Sequence, residues 1–299
     1  MTHRDERAAL LALLRESKES WGRVASRVAF EGTASGLLDG PDDDVLFEVP
    51  SDGAAIDAAA AEVAEWEARG LRLTTVLDYD YPRRLLDIRE TPPFLFYEGE
   101  LRAEDEGMSV VGTRKPSEWA LWFAKEAAEF LEDQGLTVIS GLAAGTDTAA
   151  HRAALDAGGR TVAFIGTGIT QQYPSQNAEL QAEIGKRGLV LSQFFPDAPP
   201  TKKTFPMRNA SMSGYGLATI VIEASENSGT RNQARLAGEH GRPVILTERV
   251  ATSTTWGGKL RGAPGVYVVG DLQELAEAVA AIREAPRRVD DALAALAAR

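Results

Sequence analysis

The sequence predicts an α/β protein in which a small helical N-terminal domain precedes a doubly wound, mostly parallel sheet. From residue 108 onwards, short runs rich in Val, Ile and Leu alternate with segments of helical length and periodicity. These runs are almost continuously apolar, as expected of parallel strands that helices cover on both faces. Glycine-rich loops follow several of them, so a ligand site is expected at the carboxyl ends of the strands.

The N-terminal part is predicted to be helical. Residues 7–28 carry apolar side chains at helical spacing, and residues 54–69 form an Ala- and Glu-rich helix. Between them, residues 32–50 are rich in Gly, Pro and Asp and are predicted to form a loop. Residues 71–77 have the composition of a strand, and we place the small domain at residues 1–75.

The remaining chain divides into a connector, a sheet domain and a tail. An extended, proline- and aromatic-rich connector is predicted over residues 76–106, the sheet domain over 107–285 and a short C-terminal tail over 286–299. The strand candidates are 108–112, 136–140, 161–166, 188–192, 217–223, 243–247 and 266–269. The helix candidates are 117–134, 147–157, 177–187, 230–240 and 271–284.

Composition and charge narrow the class of protein. The chain has no cysteine, which excludes disulfides, thiol nucleophiles and Cys-based metal sites and suits a reducing cytosol. No apolar run is long enough to span a bilayer, so we expect a cytoplasmic protein without membrane contact. Residues 1–106 carry 12 Lys and Arg against 24 Asp and Glu, whereas residues 107–285 carry 17 against 18. A nucleic-acid site is therefore expected in the near-neutral sheet domain.

The first candidate loop begins at Gly112 and presents two cations at a predicted helix start. Arg114 and Lys115 precede Pro116, and proline suits the first turn of a helix. The charges and the helix N-terminus are therefore expected to face the same space, where an anion can bind. A strand–helix turn with solvated cations is the alternative interpretation.

The second loop combines two glycines with a possible acid–base pair. Gly141 and Gly145 allow a ligand to approach the backbone closely. Asp147 and His151 are four residues apart and share one face of the predicted helix. They could form a catalytic pair, but an Asp that caps the helix beside a partly buried structural His is the favoured interpretation.

The third loop opens like a dinucleotide-binding fingerprint at Gly166. Gln171 stands where the third glycine of that fingerprint is required, so the loop is a weak NAD signal. It still fits as a further anion-facing loop beside the first two.

The fourth candidate region joins two separate stretches of chain. Arg208, followed by Asn209, has apolar neighbours and is therefore not expected to be an ordinary surface cation. Ser228 and Gly229 precede a predicted helix that carries Arg231. Small residues and hydroxyl groups at such a position suit the binding of phosphate.

The sequence contains no complete catalytic set. It lacks a Walker A motif and a Gly-x-Ser-x-Gly nucleophile elbow. Its three histidines, His3, His151 and His240, are not at zinc-ligand spacing. We therefore expect a binding protein without a cofactor or metal, and not an enzyme.

Taken in order, the motifs resemble the DprA/Smf family of DNA-processing proteins. The resemblance covers about residues 75–250 at the spacing of the family. The matching segments are YDYPRRL (79–85), PPFLFYEG (92–99), GTR (112–114), SGLAAGTD (140–147) with His151, GTGI (166–169) with Tyr173, Pro174 and Asn177, FPMRN (205–209), and EA with SG (223–224 and 228–229).

The resemblance implies an extended Rossmann-like fold and a pocket that binds single-stranded DNA. In the family, that DNA is handed to the RecA recombinase during natural transformation. The resemblance implies phosphate contacts for Arg114 and Arg208. The positions that it implies as pocket-shaping are Gly141, Gly145, Gly166 and Asn209. We also expect a homodimer.

The sequence departs from the family pattern at several positions. Ala210 stands where the family's Arg-Asn-Arg has its second arginine. Thr170 stands where an acidic residue usually follows Gly-Thr-Gly-Ile, and Gln193 replaces the Glu of a Ser-Glu pair. No winged-helix segment is expected after residue 286. The missing cation at position 210 predicts weaker DNA binding, with Arg231 as the candidate to replace it.

Three classes of function stay open at this point. The first is a protein that loads or protects single-stranded DNA without covalent chemistry. The second is a sensor of a nucleotide derivative in stress or phage defence. The third is an enzyme similar to LOG phosphoribohydrolases, whose Gly-Gly-x-Gly-Thr motif is followed closely by Glu; here Thr230 is followed by Arg231.

Overall fold

A computed structural model describes residues 3–38 and 53–297 of the chain, and their side chains over residues 6–38 and 53–285. The strands are β1 (Arg72–Thr75), β2 (Phe94–Gly99), β3 (Gly107–Val111), β4 (Thr137–Ser140), β5 (Thr161–Phe164), β6 (Leu189–Ser192), β7 (Ala218–Val221), β8 (Val244–Thr247) and β9 (Val266–Val269). The seven strands predicted from residue 108 onwards and the strand at 71–77 are confirmed.

The helices lie before and between these strands. They are α1 (His3–Glu16), α2 (Trp21–Glu31), α3 (Ser35–Leu38), α4 (Gly53–Ala68), α5 (Glu118–Asp133), α6 (Thr146–Asp156), α7 (Ala178–Arg187), α8 (Thr204–Tyr215), α9 (Gly229–Glu239), α10 (Glu248–Ser253), α11 (Thr255–Leu260) and α12 (Leu272–Ala297). The predictions at 54–69 and at the five positions in the sheet domain are confirmed, whereas α8, α10 and α11 were not predicted.

All nine strands form one sheet in the order β1-β2-β6-β5-β4-β3-β7-β8-β9. The seven strands from β6 to β9 in that order are parallel, and β1 and β2 join them in antiparallel pairing. From β3 to β6, successive strands lie further from β3 on one side of it. From β7 to β9, successive strands lie further from β3 on its other side. The predicted doubly wound, mostly parallel, Rossmann-like sheet is therefore confirmed, and its topological switch point lies between β3 and β7.

The parallel strands are short and apolar because both faces of the sheet are covered. Every residue of β3 to β8 is buried. The side chains of neighbouring residues in a strand point to opposite faces of the sheet, so Val138 and Ile139 belong to two different hydrophobic clusters. Helices α5 and α12 contribute to the cluster that contains Val138.

The predicted connector contains a strand that the sequence interpretation did not identify. Strand β2 lies within residues 76–106 and pairs antiparallel with both β1 and β6. Phe94 and Phe96 are buried on it, beneath the N-terminal helices. Its pairing was not visible locally, because the partner strand β6 is about ninety residues further along the chain.

The helical prediction over residues 7–28 is confirmed, and the chain forms two helices there. Helix α1 ends at Glu16 and α2 starts at Trp21, after Ser20 at its N-cap position. The polar segment between them lets both helices turn apolar faces towards one cluster, which includes Leu10 and Val28. His3 lies in α1, in a part whose side chains are not described.

Two further predictions concern the ends of the helical regions. The loop predicted at residues 32–50 contains the four-residue helix α3, and residues 39–50 lie outside the described residues. The tail predicted at 286–299 is helical up to residue 297, because α12 continues well past the predicted end at residue 284.

Candidate nucleic-acid interface

A cleft of about 470 Å³ opens at the switch point of the sheet. Its walls come from the loop after β3, the start of α6, helix α8 and the loop that leads into α9. It is lined by Val111, Gly112, Thr113, Arg114, Lys115, Ala143, Asp147, Phe205, Arg208, Asn209, Met212, Asn227, Ser228, Gly229, Thr230 and Gln233. The carboxyl ends of β3 and β7 therefore meet here, at the place where doubly wound sheets bind ligands.

Arg208 is the buried cation of this cleft. Helix α8 holds it at 5% exposure, and its Nη1 contacts Sδ of Met212 at 3.8 Å. Its buried Nε has no hydrogen-bond partner in the described part of the chain. Burial lowers the pKa of the guanidinium, while the negative charge of Asp147 opposes that shift. A buried arginine with unused N–H donors is costly unless an anion binds to it.

Two glycines make room for the side chains that α8 presents. A Cβ atom at Gly141 would overlap the guanidinium of Arg208, and one at Gly166 would lie 2.7 Å from a ring carbon of Phe205. Glycine is therefore required at both positions by close approach of a side chain. Gly145 lies at the N-cap position of α6 and lines neither the cleft nor its side lobe.

A smaller lobe of about 210 Å³ adjoins the cleft and shares Arg114, Ala143, Phe205 and Arg208 with it. The guanidinium carbon of Arg114 lies 5.8 Å from the centroid of the Phe205 ring. The Phe205 and Tyr173 ring centroids are 5.6 Å apart. Arg114 and Lys115 are exposed at the rim, so the lobes combine exposed cations with aromatic faces.

Asp147 also lines the cleft, but it does not cap helix α6 as predicted. The N-cap residue is Gly145, and Oδ2 of Asp147 accepts hydrogen bonds from the amides of Gly141 at 3.2 Å and Ala143 at 3.3 Å. Burial raises the pKa of the carboxyl, whereas the positive charge of Arg208 and the two amide bonds oppose the rise. The carboxylate therefore fixes the glycine loop beside the buried arginine.

His151 was expected to be partly buried, and it is fully buried. Its Nδ1 lies 2.7 Å from Oγ1 of Thr161, so its contact is with β5 and not with Asp147. Burial, followed by the nearby charge of Arg208, lowers its pKa to about 3. A neutral imidazole bonded to the sheet fits the structural role that the sequence favoured.

The loops that follow β3 and β7 are tied to one another. Glu223 Oε2 accepts from the amide of Ser117 at 2.8 Å, and Glu223 Oε1 accepts from its hydroxyl at 2.9 Å. Oγ1 of Thr230 donates to the carbonyl of Gly112 at 3.2 Å. Asn209 Nδ2 donates to the carbonyl of Gly229 at 3.5 Å, which joins α8 to α9.

The structure brings most of the predicted site residues together. The residues that line the main cleft are Gly112, Arg114, Lys115, Arg208, Asn209, Ser228 and Gly229. Gly141 and Gly166 line the smaller lobe. Arg231 is exposed on α9 and lines neither space.

Ala210 is not the empty cation position that the family pattern suggested. It is 2% exposed and does not line the cleft. Two residues along a helix correspond to a rotation of roughly 200°, so positions 208 and 210 face nearly opposite directions. Ala210 therefore does not contribute to this cleft, and weaker DNA binding through its missing cation stays a prediction.

Sequence reasoning missed Phe205, Asp147 and Gln233 as lining residues. Phe205 precedes Arg208 by three residues, the spacing that places side chains on one helical face. Gln233 follows Thr230 by the same spacing on α9. The signal for Phe205 was available only after α8 had been identified as a helix, whereas that for Gln233 could have been found on the helix predicted over residues 230–240.

Among residues 3–38 and 53–297, no group of three or more His, Cys, Asp or Glu is arranged to hold a metal ion. No helix within the same ranges combines the length and the apolar character needed to cross a membrane.

Comparison with known proteins places these features in a family. The model of the family described as DNA recombination-mediator protein A matches residues 72–280. DNA processing protein DprA of Streptococcus pneumoniae is 42% identical over 172 residues, which are 57% of this chain and 61% of that protein. Protein Smf of Synechocystis is 37% identical over 186 residues, 60% of this chain and 47% of that protein. The matched region thus spans about half to three-fifths of these two relatives.

A third relative is covered more fully, and two solved structures share the fold. DprA of Bacillus subtilis is 30% identical over 218 residues, 71% of this chain and 73% of that protein. The X-ray structure of DprA from Streptococcus pneumoniae has a TM-score of 0.73 at 28% identity and covers 91% of this chain and 97% of that chain. A structure concerning the single-stranded DNA binding mode of DNA processing protein A from Helicobacter pylori has a TM-score of 0.62 at 22% identity, with coverage of 70% and 95%.

Proposed function

This chain belongs to the DNA recombination-mediator protein A family, and on that premise we propose that it binds single-stranded DNA in the cleft between β3 and β7 as a recombination mediator. The buried guanidinium of Arg208 carries the proposal. It faces the cleft, its Nε lacks a hydrogen-bond partner among the described residues, and a phosphate group accepts bidentate bonds from arginine.

The other residues of the cleft are suited to contact both the phosphate backbone and the bases of a nucleic acid. Arg114 and Lys115 add charge at the rim, where they can contact neighbouring phosphates. Phe205 and Tyr173 offer ring faces on which bases can stack, a contact that tolerates any base. Phosphate contacts and stacking together predict binding with little sequence preference.

The proposal includes no covalent catalysis. Glu223, five residues before Ser228, is engaged by two hydrogen bonds from Ser117. Asp147 accepts from two backbone amides. Both oxygens of Glu223 are thus engaged, so Glu223 is not held as a free acid or base, which general acid–base chemistry would need.

Handover of the bound strand to a RecA-type recombinase, and function as a homodimer, complete the proposal. The recombination-mediator description of the matched family supports the handover. Light scattering of the purified protein tests the dimer, and loading of a recombinase onto protein-coated single strands tests the handover.

We expect Arg208→Ala and Arg114→Ala to weaken binding of a fluorescent oligo(dT), measured by anisotropy. Arg208→Ala should weaken binding more than Arg114→Ala, by up to about a hundredfold, because hydrogen bonds of a charged group contribute about 1.5–3 kcal/mol. Affinity of the unchanged protein should fall with salt, with a log–log slope of about −0.7 per phosphate neutralised. Arg208→Lys should retain part of the affinity, because it keeps the charge without the bidentate geometry.

The matched control is Arg152→Ala, which removes an exposed arginine that lines neither lobe and should leave binding unchanged. Circular dichroism confirms that each variant is folded. Folded Arg208→Ala that binds oligo(dT) as tightly as the unchanged protein would refute the proposal.

A nucleotide-derivative sensor is the second candidate, favoured by the size of the cleft. About 470 Å³ lies within the range of small-molecule pockets. Mass spectrometry of molecules that copurify with the protein separates the two: a tightly held nucleotide together with no oligo(dT) binding at low salt would favour the sensor.

A further inference from the structure

The cleft contains a buried carboxylate beside its buried cation. Asp147 and Arg208 are each 5% exposed, and both line the larger lobe. They attract one another, yet the hydrogen bonds of Asp147 go to backbone amides and that of Arg208 goes to a thioether. The negative charge of Asp147 thus balances the positive charge of Arg208 without a direct hydrogen bond, and N–H donors of Arg208 stay available to a ligand.

A phosphate that binds Arg208 must approach Asp147 as well. The two anions would then share one guanidinium in a buried setting, where like charges repel strongly. The carboxyl group can relieve this repulsion by taking up a proton. Its two amide bonds can remain, because Oδ2 accepts both of them and the proton can reside on Oδ1.

We propose that Asp147 is the internal counter-ion of Arg208, and that binding of a DNA phosphate is coupled to uptake of a proton by Asp147. This inference rests on the function proposed above. It makes Asp147 a residue that sets the affinity of the cleft for anions, and not a mere support of the glycine loop.

The surrounding groups favour this role. Burial already raises the pKa of Asp147 in the free protein, against the opposing charges of Arg208 on α8 and Arg114 after β3. His151, one turn along α6, has its pKa lowered to about 3 and stays neutral above it. The α9 side of the cleft contributes the uncharged Thr230 and Gln233.

The sign of the pH dependence follows from these charges. A bound phosphate raises the pKa of Asp147 further, so the bound state holds more protons than the free state between the two pKa values. Affinity should therefore fall as pH rises through that window, by at most about tenfold per pH unit for one proton. Below and above the window it should be constant.

Calorimetric titration of the full chain with oligo(dT) lacking a terminal phosphate tests the coupling. Thymine and internal phosphodiesters do not titrate between pH 4.5 and 8, so a proton taken up on binding is taken up by a group of the protein. Titrations in buffers of different ionisation enthalpy should show a net uptake of up to about one proton per bound strand at some pH in this range. Binding without proton uptake at every pH would overturn the inference and leave the proposed function intact.

Asp147→Asn provides the second arm, because its amide oxygen can still accept the two backbone bonds. We expect it to bind oligo(dT) about three- to tenfold more tightly at pH 8 and to lose the proton uptake. A folded Asp147→Asn protein with an unchanged pH profile would also overturn the inference. If the unchanged protein binds no oligo(dT) but binds thymidine 3′,5′-cyclic monophosphate, whose phosphodiester does not titrate in this range, with proton uptake that Asp147→Asn abolishes, the proposed function fails and the role of Asp147 stands for a nucleotide ligand.

Discussion

Glycine residues at the cleft show how single positions create the site. Gly141 was expected to allow a ligand to approach the backbone, but the closest group is the side chain of Arg208. The glycine therefore acts on the ligand indirectly, because it lets a buried guanidinium reach the cleft. The same argument applies to Gly166 and Phe205.

Replacement of Gly141 by Ala should displace the guanidinium of Arg208. We expect oligo(dT) affinity to fall about tenfold and stability to fall by about 1–3 kcal/mol, the usual range for overpacking. Anisotropy and urea denaturation measure the two effects. Gly238→Ala on α9 is the control, because a Cβ there meets nothing within 4 Å. It should stabilise the helix by roughly 0.5–1 kcal/mol and leave affinity unchanged. Unaltered binding by Gly141→Ala would contradict this account.

At the scale of elements, the switch point works because β3, β7 and their following helices are joined by side chains. Glu223, after β7, bonds the N-terminus of α5 through Ser117, whose own hydroxyl accepts from the amide of Ala120. Thr230 at the start of α9 bonds the carbonyl of Gly112 after β3. These bonds keep the two loops of the cleft at a constant separation.

Glu223 is therefore expected to act on stability and loop position, and not on chemistry. Glu223→Ala should lower the free energy of unfolding by about 1–3 kcal/mol, because it leaves two partly buried donors of Ser117 without a partner. Glu179→Ala, which removes an exposed carboxylate from the first turn of α7, should cost less than about 1 kcal/mol.

Chromatography of nucleoside monophosphates incubated with the unchanged protein should detect no free base. Release of base that Glu223→Gln abolishes would instead identify Glu223 as a catalytic group and support the phosphoribohydrolase alternative.

At the scale of the whole molecule, the N-terminal helices and the sheet share an aromatic cluster. Trp21 of α2 lies 5.5 Å from Phe94, and Trp66 of α4 lies 5.0 Å from Phe96, between ring centroids. Phe195 contacts both tryptophans at 5.7 and 6.0 Å. The helices therefore cover the antiparallel side of the sheet, away from the β3–β7 cleft.

Removal of residues 1–70 should expose this cluster. We expect the shortened protein to bind a hydrophobic dye and to unfold at a lower temperature, because Phe94, Phe96 and Phe195 lose their covering rings. The control is Arg69→Ala in the full chain, which removes an exposed ion pair with Asp197 and should cost less than about 1 kcal/mol. A shortened protein as stable as the full chain would show that the sheet needs no cover from α1, α2 and α4.

The sequence by itself determined the alternation of strands and helices from residue 108, the parallel character of that sheet and seven of the sixteen residues that line the cleft. These features are local: apolar runs mark strands covered on both faces, and parallel strands place their following loops at one edge. Arg114 and Ser228, which follow β3 and β7, could thus be expected in one place before any contact was known, whereas the phosphate contact of Arg208 was implied by the family resemblance.

Only the tertiary structure decided which side chains enter the cleft and which lie outside it. It placed Ala210 in the interior and Arg231 on the outer surface, and it brought Phe205 and Asp147 into the lining. It also paired β2 with β6 across a long stretch of chain. The physical reason is that helix rotation and strand pairing depend on burial against distant residues, which local patterns do not encode.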